Sequence, residues 1–161
     1  MDQRLVTNLQ PPRFEIGPTL LIAGLSERYN SETSAGIPAQ WQHFVPHLGH
    51  IPGQVGWVTY GVIRNSDDAG NMDYICGVEV SGFALVPQEY VRLRIAEQRY
   101  AVFTHLDHIS TIRRVWFTIF NKWLPEWGFK IAEAPKFERY DGKFDPVSGM
   151  GGFEIWIPVR G

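Results

Sequence analysis

The segments WVTYGVIR (residues 57–64) and YICGVEV (residues 74–80) decide the fold, because together they predict two neighbouring antiparallel strands. Both are rich in the β-branched and aromatic residues that favour strands. The first segment alternates, so that Val58, Tyr60 and Val62 lie on one face of its strand. The intervening NSDDAGN has the composition of a turn. The two segments therefore predict a hairpin.

A helix and a further strand are predicted on the N-terminal side of this hairpin. Apolar residues recur at helical spacing over residues 37–48, and Pro46 is expected to kink or shorten that helix. Residues 14–29 lack helical spacing and predict a strand with a bend at Gly17-Pro18. The order of elements is therefore strand, helix, strand, strand.

The same order recurs in the second half of the chain. Residues 91–104 predict one long strand or two, with a break near Glu97. A longer amphipathic helix follows over residues 109–123 and is expected to end at Leu124-Pro125. Residues 129–140 and 153–159 predict the last two strands.

The repeated order predicts an α+β fold within a single domain, residues 1–161, with pseudo-repeats at about 14–81 and 90–159. Two strand-helix-strand-strand units can join their edges into one antiparallel sheet, with both helices on one face. The opposite face, or a central cleft between the halves, would then be free for a ligand.

Composition and charge argue against several classes of protein. The net charge of −2 argues against a nucleic-acid-binding surface, and the single Cys76 excludes an internal disulfide. No signal peptide or apolar stretch long enough to span a bilayer is evident, so we expect a cytoplasmic protein without a membrane partner. His43, His47 and His50 have helical spacing, but Pro46 interrupts them and no metal site is predicted. No cofactor is predicted either.

The stretch KFERYDGKFDP (residues 136–146), followed by FEIWIPV (residues 153–159), carries the most chemical information. On a strand Glu138 and Tyr140 share a face, and so do Glu154 and Trp156. If the two strands are neighbours, two carboxylates and two rings could meet, which suits a flat organic cation. The alternative is that both glutamates are ordinary exposed strand residues.

The segments RYAVFTH (residues 99–105), WLPEWG (residues 123–128), KFERYDGKFDP and EIWIPV resemble the GyrI-like small-molecule-binding family. This family includes the effector-binding domain of AraC-type and MerR-type multidrug regulators. The resemblance implies a duplicated strand-helix-strand-strand fold with a central cleft. Only about a dozen residues precede the first predicted strand, so we expect a stand-alone member that does not bind DNA directly.

The resemblance also implies roles for particular residues. In drug-binding members, acidic residues of the last two strands contact lipophilic cations, and Glu138 and Glu154 match those positions. The expected ligand is therefore a small lipophilic or aromatic molecule, cationic in the leading interpretation. The residues predicted to line its site are Glu138, Glu154, Tyr140, Trp156, Trp116, Phe120 and Trp57.

Two other functions remain open at this point. Some stand-alone relatives are similar to hydrolases that open electrophilic cyclopropane rings, in which case Glu138 would be the general base and Tyr140 the proton donor. The family name also suggests a protein that interacts with gyrase. The sequence does not decide between a binding protein and an enzyme, and it leaves the oligomeric state open, with a homodimer as one alternative.

Overall fold

The computed structural model describes residues 5–160, which form an antiparallel, curled sheet with two helical segments packed on one face. This confirms the predicted α+β fold class. The strands are β1 (Arg13–Gly17), β2 (Leu20–Tyr29), β3 (Gln54–Arg64), β4 (Met72–Val80), β5 (Val91–Ile95), β6 (Gln98–His105), β7 (Lys130–Ile131), β8 (Lys136–Tyr140) and β9 (Phe153–Arg160). The α-helices are α1 (Ile37–Phe44), α2 (Ile112–Thr118) and α3 (Leu124–Trp127).

The two halves of the chain meet at the centre of the sheet. The strand order is β1-β6-β9-β8-β3-β4-β2-β5, with the short β7 paired to β9. The first half contributes β2, β4 and β3 side by side, and the second half contributes β6, β9 and β8 in the same relative order. The central β3–β8 pair places Gly61 directly opposite Glu138.

The predicted bend at Gly17-Pro18 and the predicted break near Glu97 are both present, and they face each other. Strand β1 pairs with β6 and ends with Gly17 opposite Gln98, and β2 then pairs with β5, beginning with Leu20 opposite Ile95. The β1–β6 and β2–β5 pairings have the same register, so they are successive parts of one antiparallel ladder. The sheet therefore curls until its two ends meet.

The curl gives the sheet an outer face, which the helices cover, and an inner face, which it encloses. The largest buried side chains of the inner face include Ile22, Val62, Tyr100 and Phe137. The expectation that the face opposite the helices is free for a ligand is therefore wrong for most of that face. It is packed as a hydrophobic core because the curled strands bring its own side chains together.

The end of the first helix agrees with the sequence prediction, whereas the end of the second helical segment does not. Pro46 lies in a short 3-10 turn that follows α1, as expected of a residue that shortens the helix. The second helical segment does not end at Leu124-Pro125 but continues to Trp127. Residues Ile119–Trp123 form a wider π-helical turn, in which the Leu124 amide donates to the Ile119 carbonyl. This wider turn accommodates the proline ring that would clash in a regular α-helix.

The predicted strand over residues 129–140 is two shorter strands, β7 and β8. Within residues 5–160, no helix is both long and apolar enough to cross a membrane.

Candidate functional site

A buried glutamate, Glu138, lies at the centre of the outer face of the sheet. Its side chain is 6% exposed. The hydroxyls of Tyr74 and Tyr140 donate to its Oε1 at 2.6 and 2.9 Å, and the Trp116 Nε1 donates to its Oε2 at 2.8 Å. Both carboxylate oxygens are therefore satisfied by protein donors alone, as a buried charge requires.

Gly61 makes room for this arrangement. A Cβ atom at this position would lie 2.1 Å from the Tyr74 hydroxyl and 2.6 Å from Glu138 Oε1. Both distances are far shorter than a non-bonded contact allows. The pairing of β3 with β8, which sets Gly61 opposite Glu138, thus leaves the space in which the tyrosine reaches the carboxylate.

A second tryptophan joins the cluster from the other helix. The Trp41 Nε1 in α1 donates to the Tyr74 hydroxyl at 3.0 Å. Its ring lies edge-on to Tyr140, with 5.6 Å between the ring centroids. Both helices and both halves of the chain therefore supply side chains. We call Glu138, Tyr74, Tyr140, Trp116 and Trp41 the carboxylate cluster.

Burial dominates the electrostatics of the cluster. Desolvation raises the pKa of the Glu138 carboxyl, although the hydrogen bonds from Tyr74, Trp116 and Tyr140 act in the opposite direction. Desolvation, together with the neighbouring Glu138 charge, raises the pKa of both Tyr74 and Tyr140 well above the usual value. The tyrosines therefore stay protonated as donors, while the carboxylate is destabilised by the loss of water around it.

Replacing Glu138 with glutamine should remove a pH dependence of stability. Because the pKa of Glu138 is raised in the folded protein, the stability linked to its proton is complete below the unfolded value of about 4.3 and is lost as the pH rises through the folded pKa. The wild type should therefore lose stability relative to Glu138→Gln as the pH rises above about 4. Urea unfolding at a series of pH values measures the difference, and parallel profiles would contradict it.

Of the residues predicted to line a site, the structure brings Glu138, Tyr140 and Trp116 into direct contact. Phe120 joins them at the edge, where its ring stacks on Trp116 with 6.1 Å between centroids. Lys136 Nζ lies over the Phe120 ring, 5.8 Å from its centroid, and burial lowers the pKa of its amine.

The prediction that Glu138 and Glu154 converge is wrong. The two strands are neighbours, as assumed, but the register pairs Glu138 with Ile155 and Arg139 with Glu154. Residues directly opposite each other share a face of the sheet. Glu154 and Trp156 therefore lie on the inner face, whereas Glu138 lies on the outer face.

Glu154 has a different environment from Glu138. It accepts hydrogen bonds from Arg13 Nη2 at 2.8 Å, Arg139 Nη1 at 3.4 Å and Trp156 Nε1 at 3.1 Å. It is therefore a partly exposed carboxylate that is already paired with two guanidinium groups.

Trp57 also lies apart from the carboxylate cluster. It is 69% exposed and lies in the part of β3 where the pairing with β4 shifts between Gln54 and Thr59. Its ring packs near Gly49, where a Cβ atom would be 2.7 Å away.

Tyr74, Trp41 and Gly61 are not among the residues that the sequence predicts to line the site. Gly61 could have indicated the site, because a glycine inside a strand often marks the close approach of another group. Among the described residues, no group of three or more histidine, cysteine, aspartate or glutamate side chains is placed to hold a metal ion.

Comparison with proteins of known sequence relates the chain to a family and to two individual proteins. The family model described as a GyrI-like small molecule binding domain matches residues 10–160. The transcriptional regulator BrlR of Pseudomonas aeruginosa is 29% identical over 144 residues, which are 88% of this chain and 53% of BrlR. The DNA gyrase inhibitor of Erwinia billingiae is 36% identical over 59 residues, 34% of this chain and 36% of that protein. The chain thus spans about half the length of BrlR and about a third of the gyrase inhibitor.

Solved structures show the same fold. The structure of SAV2435 bound to tetraphenylphosphonium superposes with a TM-score of 0.75 at 21% identity, covering 94% of this chain and 95% of SAV2435. EcmrR in its complex with DNA gives a TM-score of 0.64 at 18% identity, covering 96% of this chain and 59% of EcmrR. Because the family model spans nearly the whole sequence, the chain belongs to the GyrI-like small molecule binding domain family.

Proposed function

We propose that this domain binds small lipophilic or aromatic cations, with Glu138 as the counter-charge. The observation that carries the proposal is a carboxylate that is 6% exposed and surrounded by aromatic side chains. Membership of the GyrI-like family supports the binding of small molecules in general. The bound ligand of SAV2435, tetraphenylphosphonium, is itself a lipophilic cation and supports the preference for cations.

The chemistry of the carboxylate cluster favours a cation over a neutral ligand. A buried carboxylate lacks water and gains from an opposite charge placed beside it. The rings of Trp41, Tyr74, Trp116 and Tyr140 add cation–π attraction. Two or three such contacts contribute about 1 kcal/mol each, and the ion pair with Glu138 and the burial of the ligand's apolar surface supply the rest of the roughly −8 kcal/mol that micromolar affinity requires.

The ligand must displace a side chain to reach Glu138, because protein donors already occupy both carboxylate oxygens. The indoles of Trp41 and Trp116 are the members of the cluster that remain partly exposed. Trp116 makes the contact that is simplest to exchange, since its Nε1 alone bonds Oε2. We therefore place the entry route between α1 and α2.

Glu138→Gln should weaken binding of tetraphenylphosphonium at least about tenfold, because the substitution removes the charge while keeping the side-chain shape. Binding of triphenylphosphine oxide, a neutral analogue, should change much less. Isothermal titration calorimetry measures both affinities. Glu133→Gln is the matched control, since it removes the same charge from an exposed position.

The comparison of tetraphenylphosphonium with triphenylphosphine oxide tests whether Glu138 recognises the charge of the ligand. Equal weakening of the cation and the neutral analogue by Glu138→Gln would contradict charge recognition. Weakening of the cation by Glu133→Gln to the same extent would attribute the effect to net charge rather than to the cluster.

A second candidate function is hydrolysis of strained electrophilic rings. It is favoured by the raised pKa of Glu138, which suits a general base, and by the Tyr140 hydroxyl 2.9 Å from its Oε1. In such a reaction Glu138 would take a proton from water as the oxygen bonds to a ring carbon. The ring C–C bond would break with its electron pair passing to the conjugated acceptor, and Tyr140 would protonate that acceptor. Mass spectrometry after incubation with a cyclopropane-containing alkylator would show a water adduct with repeated turnover, and unchanged compound would exclude this function for that substrate.

A further inference from the structure

A cavity opens on the inner face of the sheet, at the bend between β1 and β2. Its volume is about 310 Å³, which lies at the lower end of the roughly 300–1,000 Å³ typical of small-molecule sites. Such sites are frequent at the mouths of curled and closed sheets. The aromatic residues that line it are Tyr60, Tyr100, Phe137 and Trp156. We call it the inner-face cavity.

The bend itself explains why the curled sheet is open at this point. Pro18 has no amide proton to donate, so the ladder is interrupted between Gly17 and Leu20. Gly17 has no side chain to fill the gap, and the Tyr100 ring lies against it: a Cβ atom there would be 2.6 Å from Tyr100 Cε2.

The floor of the inner-face cavity is a set of packed rings. The rings of Phe137 and Trp156 are stacked, 5.3 Å apart and inclined by 17°. Tyr100 lies edge-on to both, at 5.4 and 5.2 Å. Aromatic rings prefer these offset and edge-on arrangements, so a further flat ring can pack on the same surface.

Two polar groups along this cavity have no partner among residues 5–160. Tyr100 is 1% exposed, and its hydroxyl is buried without a hydrogen bond. Burial raises the pKa of this hydroxyl to about 12, so it keeps its proton. Glu79, which also lines the cavity, makes no hydrogen bond or ion pair within the described part of the chain.

The other charged groups of the cavity are already paired. Arg13 bonds both Glu15 at 2.6 Å and Glu154 at 2.8 Å. Arg139 lies 3.4 Å from Glu154. The charge left over is therefore the Glu79 carboxylate, which favours a ligand with a positive group.

We propose that the inner-face cavity is a second binding site, which takes a small aromatic amine with a polar atom on its ring. The ligand displaces the side chains that cover the rings of Trp156 and Phe137 and packs on them, its ammonium group pairs with Glu79, and its polar atom then reaches the buried Tyr100 hydroxyl. Glu154 acts indirectly, by holding Arg13 and Arg139 at the rim. The site is independent of Glu138, because the two lie on opposite faces of the sheet.

Three one-ring probes separate these contacts: tyramine carries both polar groups, tyrosol lacks the ammonium, and phenethylamine lacks the phenol. NMR titrations are done in the Glu138→Gln background, so that binding at the carboxylate cluster and binding here are distinguishable. Glu79→Gln should weaken tyramine and phenethylamine about five- to tenfold and leave tyrosol unchanged. Tyr100→Phe should weaken tyramine and tyrosol and leave phenethylamine unchanged.

Thermal unfolding shows whether each variant is folded. Tyr100→Phe removes an unpartnered buried hydroxyl, so its unfolding midpoint should be equal to or higher than that of the parent. Glu89→Gln, at an exposed loop position, is the charge-matched control and should not change the affinity for any probe. Failure of tyramine to bind at 10 mM in the Glu138→Gln background would overturn the proposal, as would binding that neither Glu79→Gln nor Tyr100→Phe changes.

Discussion

Gly61→Ala should lower the free energy of unfolding by about 3 kcal/mol, near the upper end of what overpacking usually costs. The added methyl group would overlap both the Tyr74 hydroxyl and Glu138 Oε1. Relief of the overlap must separate a buried carboxylate from a donor, so the substitution combines a steric cost with a lost hydrogen bond. In a chain of this length, the loss corresponds to about 6–12 °C in the thermal midpoint.

Gly82→Ala is the matched control for this measurement. A Cβ atom at Gly82 meets nothing within 4 Å, and the position does not require a positive φ. Its unfolding midpoint in urea should stay close to that of the wild type. A Gly61→Ala variant as stable as Gly82→Ala would show that the carboxylate cluster is not packed as described.

Phe137→Ala should have a comparable or larger effect, a loss of about 3–5 kcal/mol. Phe137 is fully buried on the inner face, and its ring contacts those of Tyr60, Tyr100 and Trp156. Curled strands fix these neighbours from several directions, so they can collapse only partly into the space that the ring leaves. Urea unfolding followed by circular dichroism measures the loss.

Two further variants test whether the effect comes from the inner core. Phe137→Leu keeps most of the buried volume and should recover much of the stability. Val147→Ala removes apolar atoms from a side chain that is 95% exposed and should leave stability within about 0.5 kcal/mol of the wild type. If all three variants were equally stable, the ring cluster would not be the core of the inner face.

Local patterns in the sequence predicted most of the elements correctly. Alternation and turn composition identified β3 and β4, and Pro18 marked the bend between β1 and β2. These features succeed because they depend on neighbours along the chain. The end of the second helix was predicted wrongly, since the π-helical turn at Ile119–Trp123 has no simple signature in residue spacing.

The candidate site shows where sequence reasoning stops. Side chains along a strand repeat every two residues, and this rule correctly predicted that Glu138 and Tyr140 lie on the same face of one strand. It could not fix the register between β8 and β9, and a shift of one residue moves a whole set of side chains to the other face. Glu154 and Trp156 were therefore assigned to the wrong side. Tyr74 reaches Glu138, and Trp41 reaches Tyr74, only through tertiary packing, which no spacing rule predicts.

The ladder in which β1 and β2 run along β6 and β5 has a consequence for how the protein assembles. Its partners are as distant in the chain as Arg13 and Val102, so the first 102 of the 161 residues must be synthesised before the ladder can be complete. Neither half carries its own complete set of edge partners. Folding should accordingly be slow for a domain of this size and cooperative throughout, with no stable intermediate built from one half alone.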